Sequence, residues 1–282
     1  MKNLSWIIVL ALIGLNLLTW REIVFSSQAG PAKFYFLQIG QGDSTLVELP
    51  TGAQILTDAG PTKKVVDELQ KVMAGSDRYI DLVVVSHPQL DHFNGFNDVL
   101  DRYQIGAFIF NGRESELPEW KGLMAKVKEK KIPLVTLAEG DRIKNGGNVI
   151  DFISPTKDFI QSAELNDTGL VELIKTEKMR MLLTADIGAN VEKYLVEKFG
   201  GQLAADILKV PHHGSKYSSS EEFLKAIQPK VAVIEVGQNK YGHPTKEALD
   251  RLEGVGAKIF RTDRNGTVTI TTFGDKMEVF EN

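Results

Sequence analysis

The chain has 282 residues, 43% hydrophobic and 25% charged, which supplies a substantial core and is an ordinary balance for a globular protein. A net charge of −4 gives no bulk positive field, which weakens nucleic acid or anionic lipid as a partner without excluding either. With no cysteine there are no disulfides and no thiolate metal sites, so any metal must be held by nitrogen and oxygen.

The N-terminal segment, residues 1–30, differs from the rest. From Leu4 to Thr19 it carries no charge, and Lys2 precedes it while Trp20, Arg21 and Glu22 close it. This is slightly short of the ~20 residues that span a bilayer. Ser27-Gln28-Ala29 offers a small-residue cleavage site, but it lies beyond Arg21, Glu22 and Ile23-Val24-Phe25, a poor geometry for a signal peptidase. An uncleaved single-pass membrane anchor is therefore expected, with a secreted, cleaved form as the alternative. Trp6 and Trp20 suit its two interfaces, and Lys2 on the cytoplasmic side directs the remainder outward.

From Ala32 onward short strands dominate. KFYFLQI, STLVEL and AQILTD read as strands, the last two joined by a turn at Pro50-Thr51-Gly52. TKKVVDELQKVM has helical spacing, and LVVVS is a buried strand leading into SHPQLDHFNG. EWKGLMAKVKEKK is a surface helix with solvated lysines. The second half repeats the texture: GLVELIKT and MRMLLTA pair as strands, NVEKYLVEKF is a helix, and ADILKVP is a buried strand ending on His212 and His213. EEFLKAI, VAVIEV, TKEALDRLE and AKIF alternate helix and strand, and GTVTITTF is the last strand. Each half runs from a β meander into strand and helix alternation, so two mixed sheets packed together with helices outside are expected. No linker-like stretch divides residues 31–282, which are read as one domain.

All five histidines, His87, His92, His212, His213 and His243, fall in loops after apolar strands, none on a predicted helix or strand face. Packing does not explain that distribution. In His-x-Gln-x-Asp-His, alternate residues His87, Gln89 and Asp91 can point to one side of an extended turn and His92 elsewhere, so one loop can feed two neighbouring metal ions. Imidazole and carboxylate suit zinc, and more oxygen ligands suit manganese. Two ions ~3.5–4 Å apart would clamp a water or hydroxide and stabilise both attack and departure.

HPQLDH followed by Phe-Asn-Gly resembles the histidine signature of the metallo-β-lactamase superfamily, whose fold is a four-layer αββα sandwich, an α/β (α+β) architecture. FLQIGQGDSTLVELPTGAQILTDAG, MLLTADI, LKVPHHGSKYSSS, NKYGHP and FRTDRNGTVTI resemble, in order, the hydrolase domain of ComEC, the bacterial DNA-uptake channel protein. Together they span residues 36–270.

The resemblance implies roles residue by residue. His87, Asp91 and His92 match the first metal motif, and Asp186 the carboxylate bridging the ions. One of His212 and His213, with His213 favoured, resembles a ligand of the second ion, and His243 the residue contacting the scissile phosphate. Asp43 and Asp58 match acidic positions near the site; equally, Asp43 could shape a Gly-rich turn and Asp58 cap the following helix. Gln89 and Asn166 stand where stronger ligands are usual, and Ala185 replaces a glycine before Asp186. Two divalent ions, zinc or manganese, are expected in unequal sites. The set Asp91, His92, Asp186 and His213 fills first, and the site around His87 is weak.

The implied activity is hydrolysis of a phosphodiester in DNA by metal-bound hydroxide, with His243 or Lys216 steadying developing charge. Lys216 and Lys240 lie near the ligands, and Tyr217 and Tyr241 can stack on bases. With one apolar segment the chain is not itself the pore, so a separate DNA-uptake channel protein is an expected partner. The alternatives are a hydrolase of another phosphodiester, such as a cell-wall polymer choline phosphate, and a catalytically weakened, membrane-tethered DNA-uptake binding protein. No P-loop, no strand-linked GxGxxG and no GxSxG elbow appears, so the chemistries those motifs support are set aside.

Overall fold

The computed structural model describes residues 12–14, 16, 30–274 and 276–281. Nearly all of the expected membrane anchor, residues 1–30, lies outside the described residues, and no helix among those described is long and apolar enough to cross a membrane.

The first half opens with strands β1 (Lys33–Phe36), β2 (Thr45–Glu48) and β3 (Gln54–Thr57), then helix α1 (Lys64–Val72) and strand β4 (Tyr79–Val85). Helices α2 (Leu90–Phe93) and α3 (Phe96–Arg102), strand β5 (Gln104–Phe110), helix α4 (Pro118–Glu129) and strand β6 (Leu134–Thr136) follow. The second half comprises β7 (Arg142–Asn145), β8 (Asn148–Ser154), β9 (Val171–Lys175), β10 (Arg180–Leu183), α5 (Ala189–Phe199), β11 (Ile207–Lys209) and α6 (Glu221–Ile227). It ends with β12 (Val231–Ile234), α7 (Lys246–Gly254), β13 (Lys258–Arg261), α8 (Thr262–Asn265), β14 (Val268–Phe273) and β15 (Lys276–Glu281).

These strands form one sheet in the order β15-β14-β1-β2-β3-β4-β5-β6 and a second in the order β13-β12-β11-β10-β9-β8-β7. Within each, an antiparallel meander gives way to parallel strands: β3 through β6 in the first, β10 through β13 in the second. Parallel neighbours end at the same edge, so the loops leaving β3 and β4 and those leaving β10, β11 and β12 collect at one rim of the sandwich, as α/β active sites commonly do.

Burial on both faces explains the unbroken apolar runs. Val84 points between the sheets with Phe34, Phe36, Ile174 and Val233, while its neighbours Val83 and Val85 face α1, α3 and α4 through Leu69, Leu100 and Leu123. On the far side, Leu208 and Ile234 pack under Leu195, Phe223 and Leu252 of α5, α6 and α7. The order is thus helices, sheet, sheet, helices, the four-layer αββα sandwich. Trp120 of α4 is fully buried, edge-on to Phe93 at 5.0 Å between centroids, so α4 is anchored under the sheet despite its lysine-rich outer face.

Several expectations are corrected. GTVTITTF is not the last strand, because β15 pairs with it as a hairpin. His92 is in a helix: α2 begins at Leu90, and helical geometry replaces the extended alternation assumed for residues 87–91. Lys126 is not fully solvated, since its ammonium donates to Asn97 O (2.7 Å) and pairs with Asp101 (2.8 Å).

Candidate metal centre

Each loop that carries a candidate ligand is fixed locally. In Gly-Gln-Gly-Asp, Gly42 sits at φ +131°, and a Cβ there would run into the carbonyl oxygen of Asp91, so only glycine lets this loop lie on the start of α2. The Asp43 N–H then donates to that same carbonyl at 3.2 Å. Successive residues on a helix diverge by about 100°. Accordingly His92 is fully buried, while the neighbouring Asp91 side chain is 34% exposed and faces the groove. Ala185, His212, His213 and Asp58 all hold left-handed backbone with φ between 46° and 57°. Such conformations cost on the order of 1 kcal/mol or more each and cluster at functional sites.

The side chains converge on Asp186. Its Oδ2 lies 3.3 Å from His92 Nε2 and 3.4 Å from His213 Nε2, and His213 Nε2 is 3.7 Å from Asp91 Oδ2. The rings of His87 and His92 are 4.1 Å apart between centroids. His87, His92 and Asp186 form one group able to hold a cation, and Asp91, His92 and His213 another.

Hydrogen-bond accounting fixes which nitrogen each ring offers. His213 Nδ1 is 2.8 Å from the Glu235 carbonyl, which only accepts, so Nδ1 carries hydrogen. The Ser86 hydroxyl donates to Asp58 Oδ2 (2.6 Å), so at His87 Nδ1, 3.0 Å away, it accepts. His92 Nδ1 donates to Asp58 Oδ2 at 2.8 Å. Each Nδ1 is thereby engaged, and each Nε2 is buried without a hydrogen-bond partner, as is Asp186 Oδ1. Three desolvated imidazole nitrogens gathered around Asp186, whose Oδ2 faces His92 and His213, fit a divalent cation of the zinc or manganese kind; the groups behind them act as orienting partners.

Charge asks for the same thing. Burial opposes a proton on His92, yet Asp186 and Asp58 hold its pKa well above the ordinary histidine value. The same conflict at His213 resolves upward through Asp186 and Asp43. A bound cation would supply that positive charge instead and displace the protons. His87, by contrast, is pushed down to about 3 by burial and then by His92, so it is a neutral ligand at physiological pH.

The remaining expected residues lie around this cluster. Asp43 is within 3.2 Å of His213 Nδ1 and forms an ion pair with Lys209, so it braces the site rather than merely shaping a turn. Asp58 does not cap α1, whose first turn has no side-chain cap; it accepts from the Ser86 N–H at 2.9 Å and holds His92. Gln89, which lines the groove beside Asp91, directs its amide to Asn166, donating to Asn166 Oδ1 at 2.6 Å. His212 points toward the groove, 5.5 Å from the His243 ring and 3.5 Å from the Asn166 amide. Lys216 is exposed at the groove edge. The groove has two lobes, of about 510 Å³ and 560 Å³, which share Asn166, Asp186 and His212; Tyr241 and His243 line the first, Lys216 and Tyr217 the second.

Three residues escaped the sequence reading. Lys209 is 2% exposed, donates to Ala185 O at 2.8 Å and stands 3.6 Å from Asp186 Oδ1. Glu235 accepts from Ser44 N–H (3.0 Å) and Thr45 Oγ1 (3.1 Å), and Glu172 from Thr57 Oγ1 (2.8 Å), so both cross from one sheet to the other beneath the site. The available signal was a charged residue inside a buried apolar strand, in ILKV, LVELI and VIEVG.

Residues 37–237 match the family model of the metallo-β-lactamase superfamily. The chain is 30% identical over 251 residues to ComE operon protein 3 of Bacillus subtilis, covering 82% of this chain and 32% of that protein. It is 29% identical over 231 residues to competence protein ComA of Neisseria gonorrhoeae, covering 81% and 30%. The chain thus spans about a third of the length of these curated relatives. Among solved structures, the metallo-β-lactamase fold protein YhfI from Bacillus subtilis superposes with a TM-score of 0.56 at 12% identity, covering 90% of this chain and all of that one.

Proposed function

The chain belongs to the metallo-β-lactamase superfamily, and from that premise we propose that it is a metal-dependent phosphodiesterase that cuts DNA during uptake. The observation that carries this reading is the set of three buried imidazole Nε2 atoms, none with a hydrogen-bond partner, gathered around Asp186, which with His213 lines an open, two-lobed groove. An open groove suits a polymer better than an enclosed small-molecule pocket would. The names of the competence relatives support uptake as the setting. On this reading the N-terminal segment tethers the domain at the outer face of the bacterial membrane, beside a separate channel protein.

Asp91, His92, Asp186 and His213 would hold the first ion, and His87 with Asp186 a second, weaker one, because Gln89 is turned to Asn166. The ions, when bound, supply Lewis acidity and an activated water. The protein's own part is orientation. Asp58 and the Glu235 carbonyl fix the rings of His92 and His213, and Lys209 balances the buried carboxylates. His243 is lowered to about 4 by burial and then by His212 and His213, so at neutral pH it acts as a neutral hydrogen-bond donor toward a phosphate oxygen. Lys216 adds a charge at the groove edge.

The test is cleavage of end-labelled single-stranded and duplex DNA by the full chain after chelation and reloading with manganese or zinc, with Asp186→Asn as control. Metal-dependent cleavage lost in the variant is expected. Metal uptake without cleavage of any DNA would move the substrate to another phosphodiester, such as a wall-polymer choline phosphate. No metal uptake would leave the catalytically weakened binding protein, the reading that the Gln89–Asn166 pairing favours.

A further inference from the structure

Two tyrosines stand at the groove in an unusual condition. Tyr217 is 71% exposed and Tyr241 is 64% exposed, each ring left to solvent. They line different lobes, Tyr217 one and Tyr241 the other, and the lobes meet over Asp186. A lysine ammonium stands by each ring: Lys216 at 5.1 Å from the Tyr217 centroid, Lys240 at 5.7 Å from that of Tyr241.

Neither ring is on a slack loop. Behind Tyr217, the carboxylate of Glu192, buried in α5, accepts from the backbone N–H groups of Ser219 and Ser220. Arg251 of α7 donates to the carbonyls of Lys216, Ser218 and Ser219 at 2.7–3.1 Å. The Tyr217 carbonyl accepts from Ala189 N–H, the first residue of α5, at 3.2 Å. Beside Tyr241, the side chain of Asn239 accepts from the N–H groups of Tyr241 and His243, both at 3.0 Å, and donates to the carbonyls of Gly237 and His243, both at 2.9 Å. The Tyr241 ring continues into His243 at 5.8 Å and His243 into His212 at 5.5 Å, a run of rings leading to the ligand cluster. Rigid loops that hold apolar rings in water gain nothing for the fold itself, which is the mark of a surface prepared for a ligand.

We infer that Tyr217 and Tyr241 are base-stacking platforms on either side of the metal cluster, and that the groove takes an unpaired nucleic-acid strand rather than a duplex. The inference rests on the proposed phosphodiesterase reading and names the form of its substrate. A duplex keeps its base faces stacked on one another and offers only edges and backbone. An unpaired strand presents a planar face at each nucleotide, which stacks on a tyrosine, and a phosphate, which meets the adjoining lysine; aromatic platforms beside cations are the general solution for binding single strands. With platforms in both lobes, the strand crosses Asp186, and the phosphodiester between the stacked bases is the one presented to the cluster.

The test uses the full chain and a fluorescent oligothymidylate with phosphorothioate linkages that resist cleavage, its abasic counterpart, and the same oligonucleotide as a duplex. Binding is read by anisotropy. The base-bearing single strand is expected to bind most tightly. Tyr217→Ala and Tyr241→Ala should each weaken it roughly 5- to 150-fold, with Tyr217→Phe and Tyr241→Phe restoring it, since phenylalanine keeps the ring. The abasic strand should bind weakly and respond to neither alanine variant by more than about two-fold, and unchanged melting midpoints would show that the variants fold. Equal affinity for base-bearing and abasic strands, or full binding by both alanine variants, would overturn the inference and leave the rings to a protein partner. Cleavage with metal reports separately: DNA cut without any dependence on the tyrosines refutes the platforms alone, whereas base-dependent binding with no cleavage under any metal refutes the phosphodiesterase reading alone.

Discussion

The buried ammonium of Lys209 is paired with the carboxylate of Asp43, one on β11 in the second sheet and the other on the loop between β1 and β2 in the first. The same ammonium stands 3.6 Å from Asp186 Oδ1 and donates to Ala185 O, so one cation ties together the two sheets and the carboxylate on which the site converges.

Lys209→Met should therefore remove one of the positive charges that offset the buried carboxylates of Asp43 and Asp186. Losing one partner of a buried pair costs about 3–5 kcal/mol, and the metal-free chain should show most of it in urea denaturation. Adding manganese should recover part, because a bound cation offsets the same carboxylates. The double variant Lys209→Met/Asp43→Asn should be less destabilised than the single one, and equal destabilisation would show that the pair is not the cause.

His213 and His212 are adjacent yet separated by direction, one facing Asp186 and the other facing His243. His213→Ala should lose the tightly held ion, whereas His212→Ala should retain it, as read by metal content after dialysis. Loss of metal in the His212 variant and retention in the His213 variant would reverse the assignment.

Glu172 is pushed up to about 8 by burial, with the neighbouring Asp58 adding to the effect. The folded chain thus keeps a proton that the unfolded chain releases near the ordinary glutamate value. This contribution is fully present below that value and is lost as pH rises through 8, at about 1.4 kcal/mol per pH unit. Glu172→Gln keeps an acceptor for Thr57 and removes the titration, so its stability against urea, measured on chelated protein, should fall less steeply over that range. Parallel wild-type and variant slopes would contradict the assignment.

Gly42→Ala combines a disfavoured φ with a clash against the Asp91 carbonyl. It should cost roughly 1–3 kcal/mol and weaken metal binding, because relief requires the loop to move off α2 and to carry Asp43 with it. Calorimetric titration with zinc would show the second effect.

The gathering of histidines at one rim was legible in the sequence because the loops that carry them follow apolar strands, a pattern that survives without coordinates. So was the sandwich, since runs such as LVVVS announce strands buried on both faces. What stayed hidden depended on direction. Alternation through residues 87–91 assumes extended backbone, and the helical turn at Leu90–Phe93 instead sends His92 inward and leaves Gln89 with Asn166. Lys209 and Glu172 sit inside apolar strands and Glu235 directly after one, where one charged letter looks like an interruption; their partners from the first sheet and its loops, Asp43, Thr57 and Ser44, lie 115 to 191 residues away in sequence. The β14–β15 hairpin was missed because KMEVFE alternates on an exposed edge with half its residues charged.

On the proposed reading the imidazoles of His92 and His213 and the carboxylate of Asp186 hold a divalent cation. Crystals of the full chain grown with manganese, measured at wavelengths on either side of the manganese absorption edge, address it directly. An anomalous peak within bonding distance of His92 Nε2, His213 Nε2 and Asp186 Oδ2 is predicted. Clear density for those three side chains with no peak between them, in crystals saturated with manganese and again with zinc, would contradict the account.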